Sequence, residues 1–461
     1  MNDQSIVNQT STLCRPFLCA LAIVIGSLPT ISWSQNVGGL GFSTGAVGGV
    51  KVDADGVVQV ATQQEREQSL KGLRGRVAGA MGDLRQPAAM RMISLKRLQD
   101  AIMQSTSENK PLSEDMLYLA GLQRIEYLFV YPDQSDIVIA GPAEPWTVRA
   151  DASVVGQQSL RPVVQLEDLL TAFRTVDAAR HQPISVSIEP TAEGSKRLQQ
   201  LLDKVVAGPG FRPQSIEPAM REAFGPQLVK FTTISTQSRM AHTLVAADYH
   251  MKRLSMNLDP SPVPGLPSYL EMIRNGASDK QQRWWLACDY QAIFRSDDAL
   301  AWKLSGRGVK AMTEEDLVTS DGVRTGTGKA NRTAQKWADL FTEKYDELCI
   351  QNAAFGDLRN VMDMNIVATI IAAHQLDKVA GCDLSVIRGL SGNLETGSWH
   401  TPKTIPPHCS FIRGARGWVS TASGGVEINP WQVVSQNTQP SEAIGATRAG
   451  ANPKSANWWW N

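Results

Sequence analysis

The stretch from Gln227 to Leu258 constrains the fold more than any other, because its hydrophobic period changes within it. From Leu228 to Ile234 the residues alternate. Leu228, Lys230, Thr232 and Ile234 point one way, and Val229, Phe231 and Thr233 the other, as in a half-buried strand. Beyond that, Met240, Leu244, Ala247, Met251, Leu254 and Leu258 recur at steps of three and four, which sets them in one stripe of a helix. Ser238 stands where an N-cap is needed. A strand feeding an amphipathic helix requires a sheet to pair with and a layer to lie across it. The expected class is therefore α+β or mixed α/β: a mixed sheet with helices across it, then a second region of antiparallel sheet plus helices.

The same helix carries the densest group of ionisable residues, Asp248, His250 and Lys252. Asp248 and Lys252 are one turn apart and expected to pair. His250 is two residues from each and faces neither, which excludes a triad in which Asp248 orients it. His242, Tyr249 and Arg253 are expected on the outward face. His242 and His250 are eight apart rather than four, so they are not a helical metal pair. Asp248, His250 and Lys252 stand as binding candidates.

Charge excludes one class of partner. Lys plus Arg and Asp plus Glu each number 45, which argues against nucleic acid or an anionic membrane surface. The start of the chain points elsewhere. Phe17 to Leu28 is an apolar run behind Arg15, followed by Pro29 and Ser32-Trp33-Ser34. It has the form of a secretory signal spanning residues 1–34 and is short for a membrane span. An exported protein, periplasmic or extracellular, is expected, with no transmembrane span in the mature chain; an uncleaved anchor is the alternative.

Removal of the signal takes Cys14 and Cys19 and leaves Cys288, Cys349, Cys382 and Cys409 in an oxidising compartment. Cys382 and Cys409 both lie in turn-rich chain, where a covalent tie is most useful, and a disulfide between them is expected. Four free thiols are the alternative. No C-x-x-C occurs, and neither a metal nor a cofactor is expected.

Composition shifts divide the rest. Residues 35–115 hold a Gly-rich segment, a hairpin turning at Asp53–Gly56, and basic helices. Residues 116–258 read as a mixed α/β domain with strands at 125–131, 136–140 and 184–188, and residues 259–434 as an α+β domain with a buried helix at 361–374. Residues 435–461 lack pattern and read as a disordered tail. The segments 48–58 and 424–434 echo each other in GGV and a closing VV, too little for a repeat architecture. GVRTGTGKA (322–330) misses the spacing of a phosphate loop, and GLSGN (389–393) lacks the last glycine of a nucleophile elbow. Trp146, Trp284 and Trp285 are candidates for stacking on sugar rings. Glu144, Asp248 and Asp289 are the carboxylates on which glycan or peptide hydrolysis would rest.

LAGLQRIEYLFVYPDQSDIVIAGPAEPW (119–146), AADYHMKRL (246–254) and FGDLRNVMDMNIVATI (355–370) resemble an exported family of uncharacterised proteins of planctomycete bacteria, over roughly residues 115–375. The resemblance implies an address and a domain of unknown function, and brings no catalytic residues. The expected role is a non-catalytic interaction or structural component of the cell envelope, with an envelope protein or polysaccharide as the class of partner that fits. The alternative is an envelope-directed hydrolase acting on glycan or peptide through carboxylates. A concave pocket where ionisable groups converge discriminates between them.

Overall fold

In the computed structural model the change of period at 227–258 appears as the strand Gln227–Thr232 and the helix Arg239–Ser255, capped by Ser238, whose side chain accepts the Ala241 N–H. The structure describes residues 46–205, 212, 215–273, 281–319, 324–392, 394, 396–407, 409–412, 418–451 and 459–461. The signal read at 1–34 lies outside them.

Two mixed sheets organise the described residues, giving an α+β architecture. The larger has eight strands, in the order Arg324–Gly326, Gly308–Val318, Gln281–Asp289, Trp418–Ile428, Ile184–Pro190, Gln227–Thr232, Thr404–Ile405, with Cys409–Ile412 also paired to Trp418–Ile428. The smaller has six, in the order Thr438–Pro440, Ala292–Arg295, Ala301–Ser305, Tyr127–Tyr131, Asp136–Ala143, Ala88–Ser94. Each contains one parallel pair, Gln281–Asp289 with Trp418–Ile428 and Ala292–Arg295 with Thr438–Pro440. Both sheets cross the boundary expected at residue 258. Strands from either side of it pair with each other, so the described chain is not divided into the domains 116–258 and 259–434.

Three helices form the interior of the fold: α1 (Leu166–Thr175), α2 (Arg239–Ser255) and α3 (Ala353–Ala373). They pack against one another, and α2 also lies on the larger sheet. One continuous core takes in all three and the inner faces of both sheets. This sandwiching corrects the expected faces of α2. His242 and Tyr249 are buried, not outward, and His250 and Arg253 are only half-exposed. Ala241, Ala246 and Ala247, small on several sides of the helix, let neighbours approach all round. α3 is buried from Ala353 to Ile371, its apolar C-terminal half as the sequence requires and Asp357, Arg359 and Asp363 with it.

The expected tail is ordered from 435 to 451. The helix Glu442–Gly450 covers the outer face of the smaller sheet, with Ile444 against Phe129, Tyr131 and Val138. Arg448 donates from Nη1 to the Val130 carbonyl at 2.8 Å. The last residues pair with the edge strand: Ser94 N–H donates to Trp459 O, and Asn461 N–H to Met92 O. That pairing occupies an otherwise open edge. The echoing segments differ in structure, a hairpin at 50–60 against a strand running into the helix Pro430–Asn437.

Cys382 is a free, buried thiol, so the expected Cys382–Cys409 disulfide is not formed. It follows the helix Leu376–Ala380, which packs on the smaller sheet, whereas Cys409 begins a strand of the larger one. Burial pushes the Cys382 thiol up to about 12.

Candidate functional site

Each sequence candidate has its own surroundings. Trp284 is fully enclosed, edge-on to Tyr269 and Trp337, and is core. Trp285, next along the strand, is half-buried on the opposite face. Glu144 pins a loop by accepting the N–H groups of Gln158 and Ser159 and the side chains of Gln123 and Ser159. Asp289 is half-buried at a strand end, where burial raises its carboxyl above the usual range. Asp248 and Lys252 pair at 2.7 Å, both enclosed. His250 bonds the Gly48 carbonyl through Nε2 at 2.8 Å. Glu144, Asp248 and Asp289 share no hydrogen-bond partner among the described residues. Trp146 alone of the aromatic candidates lines a cavity.

That cavity has a volume of about 1250 Å³. Its floor is built where α1, α2 and α3 begin. Glu167 and Asp168 stand in the first turn of α1, Arg239 is the first residue of α2, and Asp357 is in the second turn of α3. An Arg at a helix N-terminus opposes the macrodipole. Here two carboxylates offset it: Arg239 Nη1 bonds Asp168 Oδ2, and Nη2 reaches Asp357 Oδ2 at 3.0 Å. Glu167 accepts the Trp399 indole N–H at 2.9 Å. Trp399 is held by its own N–H on Gln237 O, and its ring lies 4.9 Å from that of His242. His242 Nε2 bonds the His400 carbonyl at 2.6 Å.

The walls come from further away. Trp146 donates from its indole to Glu114 Oε2 at 3.1 Å, and Glu114 also accepts the Ala78 and Gly79 N–H groups. Tyr118 packs against Trp146 with ring centroids 5.9 Å apart. Trp460 and Asn461 contribute a further side. Gly48 closes another, and at φ +56° it has no room for a side chain, since a Cβ would lie 2.5 Å from Ala354 Cβ. Asp83, Asp115 and Arg76 complete the charged lining.

Three carboxylates surround one guanidinium on this floor and only two of them bond it, and that arithmetic sets the protonation. Burial raises the Asp168 carboxyl to about 6 and raises Asp357, while Arg239 pulls both back. Glu167 has neither guanidinium nitrogen. Burial and then the Asp168 charge push it to about 8, so it keeps its proton at neutral pH. Burial drops His242 to about 4, leaving it neutral.

A stability test follows from Glu167. Its carboxyl ionises at about 4.5 ordinarily and at about 8 in the fold. Between those values the native state binds more protons than the unfolded chain, so its contribution to stability falls as pH rises through the window and is flat above it. Glu167→Gln removes that loss. The variant should be more stable than wild type near pH 9, by an amount on the order of a few kcal/mol, and no different near pH 4. Equal urea midpoints at both pH values would show that Glu167 is not held neutral.

Sequence reasoning missed this floor. Glu167 and Asp168 sit between Leu166, Leu169 and Leu170, and Asp357 lies within FGDLRNVMDMNIVATI; none was singled out. The available signal was charge embedded in apolar runs, in LEDLL and FGDLR. Among the described residues no group of three or more His, Cys, Asp or Glu side chains could hold a metal, and no helix is long and apolar enough to cross a membrane.

No curated protein and no solved structure matches the chain. A family model described as Protein of unknown function (DUF1598) matches residues 186–269, the span that pairs two strands of the larger sheet and carries α2 with Arg239 to the cavity floor.

Proposed function

We propose that the protein is an exported binding protein of the cell envelope that holds a saccharide in the cavity above Glu167 and Arg239. The observation that carries this reading is the lining itself. Aromatic side chains (Tyr118, Trp146, Trp399, Trp460) and apolar ones such as Leu73 and Leu112 surround a small set of fixed polar groups. That combination suits a ligand with apolar ring faces and hydroxyl edges. Calorimetric titration of the full chain with soluble N-acetylglucosamine and glucose oligomers tests it. Binding of at least one series is expected, weakened by about tenfold, ~1.4 kcal/mol, in Trp460→Ala. No heat with either series, or undiminished affinity in the variant, counts against the cavity as a saccharide site.

One observation favours a second reading, a glycan hydrolase: a carboxyl that keeps its proton at neutral pH, the state a general acid needs. This reading moves from Glu144, Asp248 and Asp289 to Glu167. Incubating the same oligomers with wild type and Glu167→Gln separates the two readings. Chain cleavage by wild type alone supports the hydrolase; intact oligomers in both support binding without turnover.

A further inference from the structure

The Glu167 carboxyl is buried, yet it lines the cavity. The protein contacts described for it are all donated to it. Trp399 Nε1–H reaches Oε1 at 2.9 Å, and the backbone N–H of Arg239 is directed at the same group. A protonated carboxyl has one donor of its own, and Glu167 faces the cavity with it. The neighbouring guanidinium, whose terminal nitrogens bond Asp168 and Asp357, is a donor only and cannot accept it. The Glu167 O–H therefore has the cavity as its outlet, where a ligand acceptor can take it.

The charges around it select the acceptor. Asp83, Glu114, Asp115 and Asp357 line the cavity against Arg76 and Arg239, with Asp168 behind. An anionic acceptor, carboxylate or phosphate, meets this surplus of negative charge and is disfavoured. An ammonium offers no acceptor at all. A neutral amide carbonyl is the strong acceptor that remains.

We propose that Glu167 is a specificity-determining residue that donates its carboxyl O–H to the amide carbonyl of an N-acetylated sugar unit bound in the cavity. This rests on the saccharide reading of the site and narrows it to acetamido sugars. A peptide carbonyl would satisfy the same donor. The half-buried ring of Trp460 in the lining favours the sugar, whose flat face it can cover.

Donation requires the protonated acid, so affinity depends on pH in a defined direction. The groups acting directly on Glu167 are Asp168 on its own helix, Arg239 on α2 and the Trp399 indole; Asp357 meets Arg239, and His242 and His400 lie beyond Trp399. His242 is already neutral well below neutral pH, and Asp168 ionises at about 6. Within the alkaline range the Glu167 proton is the one that leaves.

The experiment is calorimetry of the full chain with N-acetylglucosamine tetramer, glucosamine tetramer and an acetylated tripeptide. It uses wild type, Glu167→Gln and Glu167→Ala near pH 6.5 and near pH 9.5, with folding checked by circular dichroism at each pH. Wild type should bind the N-acetylated tetramer at least about tenfold more tightly at the lower pH. Glu167→Gln keeps a neutral donor, so its affinity should be the same at both. Glu167→Ala should bind weakly at both. A wild-type affinity that does not change with pH overturns the proposal. So does full affinity in Glu167→Ala, or tighter binding of glucosamine tetramer or tripeptide than of the N-acetylated tetramer. Binding of glucose oligomers without N-acetylglucosamine oligomers ends this proposal alone. No binding of any saccharide ends the saccharide reading with it.

Discussion

Arg239→Met is expected to destabilise the protein by roughly 3 to 5 kcal/mol at neutral pH, the range for removing one partner of a buried ion cluster. Arg239 is the cation for two carboxylates, and Asp168 and Asp357 have almost no exposed surface of their own. Methionine keeps most of the stem, so lost packing contributes little. What remains is two charges in the core without a counter-ion. Their folded-state carboxyls already lie above the usual range, and without Arg239 both should rise further. The cost should therefore shrink on acidification, as both carboxyls protonate. Urea denaturation at about pH 7 and about pH 4 measures it. A variant as stable as wild type at the higher pH would mean the floor takes up water or counter-ions when Arg239 is gone.

The Asp248–Lys252 pair predicts a larger contrast between single and double variants. Both side chains are enclosed, and neither the Asp248 oxygens nor Lys252 Nζ make a well-aligned hydrogen bond despite the 2.7 Å approach. Lys252→Met leaves Asp248 charged or forces a proton onto it, and should cost about 3 to 5 kcal/mol. The double variant Asp248→Leu with Lys252→Met removes both desolvation penalties and supplies apolar volume. Its expected stability is that of wild type or up to ~4 kcal/mol above it. Equal losses in single and double variants would show that the pair contributes net stability beyond its own compensation. The double variant lies away from the cavity lining, so binding there should persist.

How much of this was legible in the sequence depends on whether the signal was local. The turn from strand to helix at 227–258, its Ser238 cap and the buried helix within 353–373 are written in period and composition, and the structure has them. The pairing of Asp248 with Lys252 was legible from spacing, but its burial was not. Spacing shows which residues share a face of α2; it does not show that the helix is packed on both sides. The division at residue 258 failed for a related reason. Strand partners are chosen by tertiary fit, and Gln281–Asp289 reaches across to Trp418–Ile428 rather than to a sequence neighbour. The cavity floor was the least legible part. Glu167, Arg239, Asp357 and Trp399 come from four distant segments, and each alone reads as an ordinary residue of its element. The Cys382–Cys409 expectation drew on loop character alone, which carries no information about which sheet each cysteine joins.

The cavity's walls run from Ala46 to Asn461 in the sequence, and between them take residues from the starts of α1, α2 and α3 and from Trp399. No fragment of the chain owns the site. A ligand seated there touches the starts of three mutually packed helices and segments distant in sequence, so occupancy is linked to the folded core and not to a local opening. Saturation with ligand at about 100 times Kd should then raise global unfolding free energy by ~2.7 kcal/mol. Amides throughout the two sheets would gain protection from exchange together, far from any contact with the ligand.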